Sequence, residues 1–171
     1  MLKRRGGVRV TGLTSAANCG FVAGTGLYDH IVAYEDAQSL PRETSVFVDM
    51  AGNRKVLAAL HHRLADDLKA SIGVGITHWE SRDGAPPDAL PGPKPAMFFA
   101  PTQIVKRNQE LGPVEYQRRI GEATAAFFSA VDHWVTIDER PLTQIDVLYQ
   151  QVLRGLAPDR AAVVVADKSP A

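Results

Sequence analysis

The sequence is poor in cysteine: Cys19 is the only one among 171 residues. One thiol excludes an intrachain disulfide framework and a thiolate zinc site. Cys19 reads as a small residue buried in a helix rather than as a nucleophile. No apolar run approaches the roughly 18 residues of a membrane-spanning helix. The N-terminus has no apolar secretory core, so a cytoplasmic location is the expectation. An excess of one charge is also missing. Lys and Arg total 19, Asp and Glu total 19, which gives no electrostatic reason to expect nucleic acid or an anionic membrane as partner. The basic cluster Lys3, Arg4 and Arg5 stands before Gly6 and Gly7 and reads as a solvated, frayed start.

What is present suits one globular domain. Hydrophobic residues make up 45% and charged residues 22% of the chain, enough apolar side chains for a proper core. The chain alternates β-rich and helical segments. Strands are expected over 8–14, 28–34, 46–49, 68–76, 97–100, 134–137 and 161–165. Helices are expected from Ser15, an N-cap type residue, to about Gly24–Gly26, over 54–67, as a turn over 103–108, from Pro113 onward, and from about Pro141 to Gly155. Val56, Leu57, Leu60 and Leu64 recur at helical spacing. The neighbours His61 and His62 make a poor metal pair and read as solvated helix surface. Residues 81–95 hold five prolines and two glycines, which argues against regular structure there. Successive βα units predict an α/β fold with a mostly parallel sheet.

The segment 46–52 is the clearest unit. Val46, Phe47 and Val48 form a β-favouring run, Asp49 ends it, Gly52 permits a sharp turn, and a helix follows. Strand, glycine turn and helix form the repeating unit of a doubly wound nucleotide fold.

Longer blocks extend this. Residues 134–137, Pro141 and Leu142, a helix, then Gly155 before the apolar 163–165 segment resemble the end of the cofactor domain of the medium-chain dehydrogenase/reductase superfamily. Gly12 to Ala16, Val48 to Asn53, Gly75 to Trp79, Leu90 to Pro95 and Phe98 to Pro101 look like blocks of a bacterial family of unknown function distantly related to those reductases. This resemblance spans about residues 8–166. It implies a Rossmann-like sheet and a nicotinamide site, with NADP or NAD as the cofactor.

On that resemblance 8–14 corresponds to the second strand of the fold, 26–34 to the third and 46–52 to the fourth. The expected domain is therefore a single Rossmann-like one with its first strand, glycine-rich phosphate loop and first helix lacking, since Gly6 and Gly7 precede a strand instead of following one. In the strand order 3-2-1-4-5-6 the first strand is central. Its absence would leave an empty lane between 8–14 and 46–49. Three outcomes are open: the two strands close up and pair, another chain supplies the missing strand, or the chain folds poorly.

The candidate site residues follow from the carboxyl ends of the strands, where such folds bind ligands. Ser15 stands where an acid would bind the adenosine ribose; the lack of an acid over 14–18 favours NADP, although no Arg stands at Ala16 or Ala17. Asn18 is a candidate for a phosphate or adenine contact. Ala51 and Gly52 end the fourth strand of the fold, and Gly75 and Thr77 the fifth. Their small size suits close approach of a ribose and nicotinamide. His78 is the one candidate acid or base, with a structural loop histidine as the competing reading. Lys94, Lys106 and Arg107 flank the proline-rich segment and read as surface charges or as the lining of a substrate cleft. No metal site is expected. The functional expectation is a partial nicotinamide-cofactor domain of an NADP-dependent oxidoreductase-like protein, not catalytically competent alone. The alternative is a non-enzymatic binding module that completes its sheet with another chain or a second copy.

Overall fold

The computed structural model describes residues 2–75 and 90–166. It is an α/β arrangement in which every strand pairing is parallel. The residues fall into two compact units, Leu2–Arg119 and Ile120–Ala171. Among the described residues no helix is long and apolar enough to cross a membrane.

The first unit opens with a short helix, α1 (Leu2–Arg5). The basic start is anchored there rather than frayed. The Lys3 ammonium donates to the Tyr28 carbonyl at 2.8 Å and lies 3.4 Å from the Asp29 carboxylate. Asp29 also accepts the Val10 N–H at 2.8 Å, and that bond holds its carboxyl below the usual range. Strand β1 (Thr11–Thr14) pairs with β2 (His30–Ala33). Between them lie a 3-10 turn at Ala16–Asn18 and helix α2 (Cys19–Gly24). A second 3-10 segment, Tyr34–Ser39, follows β2.

Strand β3 (Ser45–Asp49) leads through the Gly52 turn into α3 (Arg54–Leu64) and then β4 (Leu68–Gly73), which pairs with both β3 and the two-residue β5 (Ala96–Met97). Asn53 caps α3 properly: its side-chain oxygen accepts the N–H groups of Lys55 at 3.0 Å and Val56 at 3.3 Å. The helix ends at Leu64 instead of Asp67 because the chain turns at Ala65, whose φ is 45°. The core gathers on the inner face of α3. Ala37, Val56 and Leu60 are buried, and Leu13, Tyr34, Leu40, Phe47 and Ala59 close around them.

One of the open outcomes is now settled. β1 and β3 do not close up: they belong to separate sheets, β1-β2 and β3-β4-β5. Yet Leu13 of β1 and Phe47 of β3 lie against the same buried cluster.

The expected strand over 97–100 is only its first residue with Ala96, and Phe98 and Phe99 are exposed. Pro101 stands in the first turn of α4 (Ala100–Leu111), where its missing N–H costs nothing. This helix replaces the single turn expected at 103–108. Pro113 begins α5 (Pro113–Val131) as expected.

In the second unit β6 (Thr136–Pro141), α6 (Ile145–Arg154) and β7 (Arg160–Val165) form a parallel βαβ crossover. The strand expected at 134–137 starts late because the N–H groups of Trp134 and Val135 both bond the Val131 carbonyl at 3.1 Å, closing α5. Pro141 is the last residue of β6, and a 3-10 turn at Leu142–Gln144 precedes α6. Val131 and Leu148 are buried here, whereas Ile145, Tyr149 and Val152 on α6 stay exposed.

Candidate ligand pocket at the carboxyl ends of three strands

Within the first unit, β3, β4 and β5 run in one direction, so their carboxyl ends meet on one rim. A cavity of about 280 Å³ opens there. Asp49 lines it from the end of β3 and Gly52 from the turn after it, Arg54 and Leu57 from α3, Ser71, Gly73 and Gly75 from β4 and beyond, and Met97 from β5. Open parallel sheets bind ligands at this end. Pockets for drug-sized ligands run from about 300 to 1,000 Å³, and this one lies at the small end of that range.

Asp49 organises the rim. Its Oδ1 accepts the N–H of Ala51 at 3.0 Å and of Gly52 at 2.8 Å. Gly52 has φ 73°, the left-handed region that glycine enters without cost. The Asp49 carbonyl accepts the N–H of Val74 at 2.8 Å and of Gly75 at 3.3 Å. Two successive amides in such a turn make a natural anion cradle. Here the chain's own carboxylate fills it. The first amides of α3, the other natural anion site, are taken by Asn53. The negative charge of Asp49 also reaches Tyr34. Burial pushes the Tyr34 phenol above its ordinary range, and the Asp49 carboxylate adds to the effect.

Ser71, which lines the cavity, is half of a buried polar pair with His61. His61 is fully buried, which corrects the expectation of a solvated surface; His62 is the exposed member of the pair. Nε2 of His61 lies 2.9 Å from Ser71 Oγ, and Nδ1 lies 2.9 Å from the Pro91 carbonyl. The signal was available in the sequence: His61 follows Leu57 by four and precedes Leu64 by three, so it belongs to the inward stripe.

The candidate residues separate. Gly52 and Gly75 line the cavity, and Ala51 adjoins it through its N–H bond to Asp49. Gly75 has a packing reason as well: a Cβ there would lie 2.5 Å from the Met50 carbonyl oxygen. Ser15 and Asn18 sit after β1 and do not line the cavity. Ser15 takes the N-cap position with extended backbone, but its side chain makes no capping bond. Its carbonyl accepts the Asn18 N–H at 2.9 Å. The Asn18 side chain makes no cap either. Thr77 and His78 lie outside the described residues, as does Trp79. Lys94 is exposed, while Lys106 and Arg107 pair with Glu110 on α4. Among the described residues no group of three His, Cys, Asp or Glu side chains is placed to hold a metal ion.

No curated protein and no solved structure matches the chain. A family of proteins of unknown function (DUF2855) does match, over residues 1–158, and the chain belongs to that family.

Proposed function

We propose that the chain is a partial nicotinamide-cofactor domain of an NADP-dependent oxidoreductase-like protein, not competent for hydride transfer alone. The observation that carries this reading is the cavity at the carboxyl ends of β3, β4 and β5, bordered by Gly52 and Gly75. Its volume suits the ribose and nicotinamide end of the cofactor. The pyrophosphate does not fit: the amides of Ala51 and Gly52 are held by Asp49, and those at the start of α3 by Asn53. The phosphate anchor of a dinucleotide fold is not found among the described residues. The likeness to the medium-chain reductases belongs to this proposal and rests on the sequence blocks alone.

Titration with NADPH, followed by its fluorescence, is the first test. The expected result is no saturation at micromolar cofactor, and a micromolar Kd would overturn the incompetence. Titration with nicotinamide riboside, followed by amide NMR, tests the pocket. Saturable shifts at Gly52, Gly73 and Gly75 are expected; their absence up to solubility removes the reading.

A second reading is favoured by the division of strands between the β1-β2 and β3-β4-β5 sheets. In it, the chain is a binding module that completes its sheet with another polypeptide.

A further inference from the structure

Ser71 lines the cavity at the strand ends and is only 3% exposed. Its hydroxyl lies 2.9 Å from Nε2 of His61, and Nδ1 of the same ring lies 2.9 Å from the Pro91 carbonyl. A carbonyl oxygen can only accept, so Nδ1 carries a proton. A neutral imidazole has one N–H, which leaves Nε2 as an acceptor. The Ser71 hydroxyl therefore donates its single proton to His61. Its oxygen keeps two lone pairs, and among the described residues no N–H or O–H donates to them.

The placement of the lining residues turns that oxygen toward the cavity. Ser71 and Gly73 lie on one face of β4, because positions two apart in a strand share a face, and His61 meets that face. On α3, Arg54 and Leu57 precede His61 by seven and four residues and share its stripe. Arg54, Leu57, Ser71 and Gly73 all line the cavity, and His61 does not. The cavity thus lies between this stripe and this face, with His61 behind Ser71. Gly73 keeps the face bare beside Ser71: a Cβ there would lie 2.8 Å from the Met97 sulfur. Leu57 and Met97 supply apolar wall, which suits a flat ring. Charge alone selects no ligand, since Asp49 and Arg54 both line the cavity.

We propose that Ser71 determines the specificity of this cavity, its oxygen accepting an N–H from a primary carboxamide on a flat ring. His61 is the positioning residue that keeps Ser71 an acceptor. This rests on the reading of the cavity as the nicotinamide end of a cofactor site, and it adds which group of that ring is recognised. A ligand with a methyl in place of the amide nitrogen leaves the buried oxygen without its donor. A site built to hydrogen-bond one group rejects the analogue that lacks it. With the opposite tautomer, Nε2–H would donate to Ser71, the hydroxyl proton would turn to the cavity, and the preference would vanish.

The probes are nicotinamide riboside and 3-acetylpyridine riboside, which share charge and nearly share shape, and differ by an amino group against a methyl. Each is titrated into the full chain at about pH 8, where an ordinary imidazole is neutral, and amide NMR shifts at Gly73 and Gly75 are followed. The nicotinamide compound is expected to bind about tenfold more tightly. Ser71→Ala is expected to weaken the nicotinamide compound about tenfold and to leave the acetylpyridine compound within about twofold, so that selection is lost. A Ser71 that only ties α3 to β4 would weaken both alike. In the unaltered chain, nitrogen NMR of the imidazole is expected to show His61 protonated at Nδ1 and unprotonated at Nε2, a measurement that stands even where the variant does not fold. Selection that survives Ser71→Ala, equal weakening of both probes in that variant, or a proton on Nε2 overturns the inference. If the two probes bind the unaltered chain equally, the cavity reading stands and the role of Ser71 falls. If neither shifts Gly73 and Gly75, the cavity reading falls and this inference with it.

Discussion

His61 and Ser71 tie α3 to β4 through a 2.9 Å contact between Nε2 and Oγ, in a place closed to solvent. The Pro91 carbonyl can only accept, so Nδ1 of His61 donates to it. In the neutral ring Nε2 then accepts the Ser71 hydroxyl. One imidazole thus links the helix, the central strand and the segment that enters β5. Replacing His61 by Ala strands two polar groups and leaves a void, for an expected loss of about 2–4 kcal/mol. Ser71→Ala removes one partner only and is expected to lose about 1–2 kcal/mol. Urea unfolding of both variants checks the order. A His61→Ala protein as stable as the parent would mean that this link contributes nothing.

Asp49 serves the turn through one oxygen. Asp49→Ala removes the acceptor for both Ala51 and Gly52 and is expected to cost about 1–3 kcal/mol. Asp49→Asn keeps an oxygen in place, and less than half of that loss is expected. The charge has a separate readout. Because the Asp49 carboxylate helps to raise the Tyr34 phenol, Asp49→Asn lowers the Tyr34 titration midpoint partway toward its ordinary value, and burial keeps it from returning fully. Absorbance titration of the phenol checks this; an unmoved midpoint would remove the electrostatic link between the β2 and β3 ends.

The same substitution has opposite signs at two glycines. A methyl at Gly75 would meet the Met50 carbonyl oxygen at 2.5 Å, and this neighbour is backbone. Gly75→Ala is therefore expected to destabilise by about 1–3 kcal/mol, as overpacking does. Gly20 lies in α2 with nothing within 4 Å of its added methyl. Gly20→Ala is expected to stabilise by about 0.5–1 kcal/mol through helix propensity. Thermal melts of the pair decide it, and equal shifts would refute the assignment.

The strand–glycine–helix unit is legible because each of its signals is local: a β-favouring run at 46–48, Gly52 at the turn, and Leu60 and Leu64 at helical spacing. The parallel pairing of β3 with β4 followed from the crossover. His61 escaped because it was weighed as half of a histidine pair, not by its phase against Leu57 and Leu64. Phe98 and Phe99 looked like a strand from their propensity, but a strand needs a ladder, and pairing with β4 stops at Met97. Asp49 was read as a strand-end residue beside a cofactor turn. That its own oxygen occupies the turn amides depends on a side-chain rotamer, which spacing does not encode.

Glu115 gives the chain a titration that should be visible in acid. In the first turn of α5 its two oxygens accept from Arg118 at 2.7 and 2.8 Å and from Arg119 at 2.6 Å. These bonds, Arg118 first, hold its carboxyl at about 2 against an ordinary 4.5. The helix N-terminus favours the same charged form. With the folded value below the unfolded one, the stabilisation is present above pH 4.5 and fades as pH falls through about 2. Carbon NMR titration of the Glu115 carboxyl is expected to give a midpoint near the lower value. The midpoint should climb toward 4.5 in about 1 M salt, since the cluster is exposed and screened. Glu115→Gln should flatten the acid limb of α5 stability. A Glu115 midpoint already at 4.5 in low salt would mean that the two arginines do not hold it in solution.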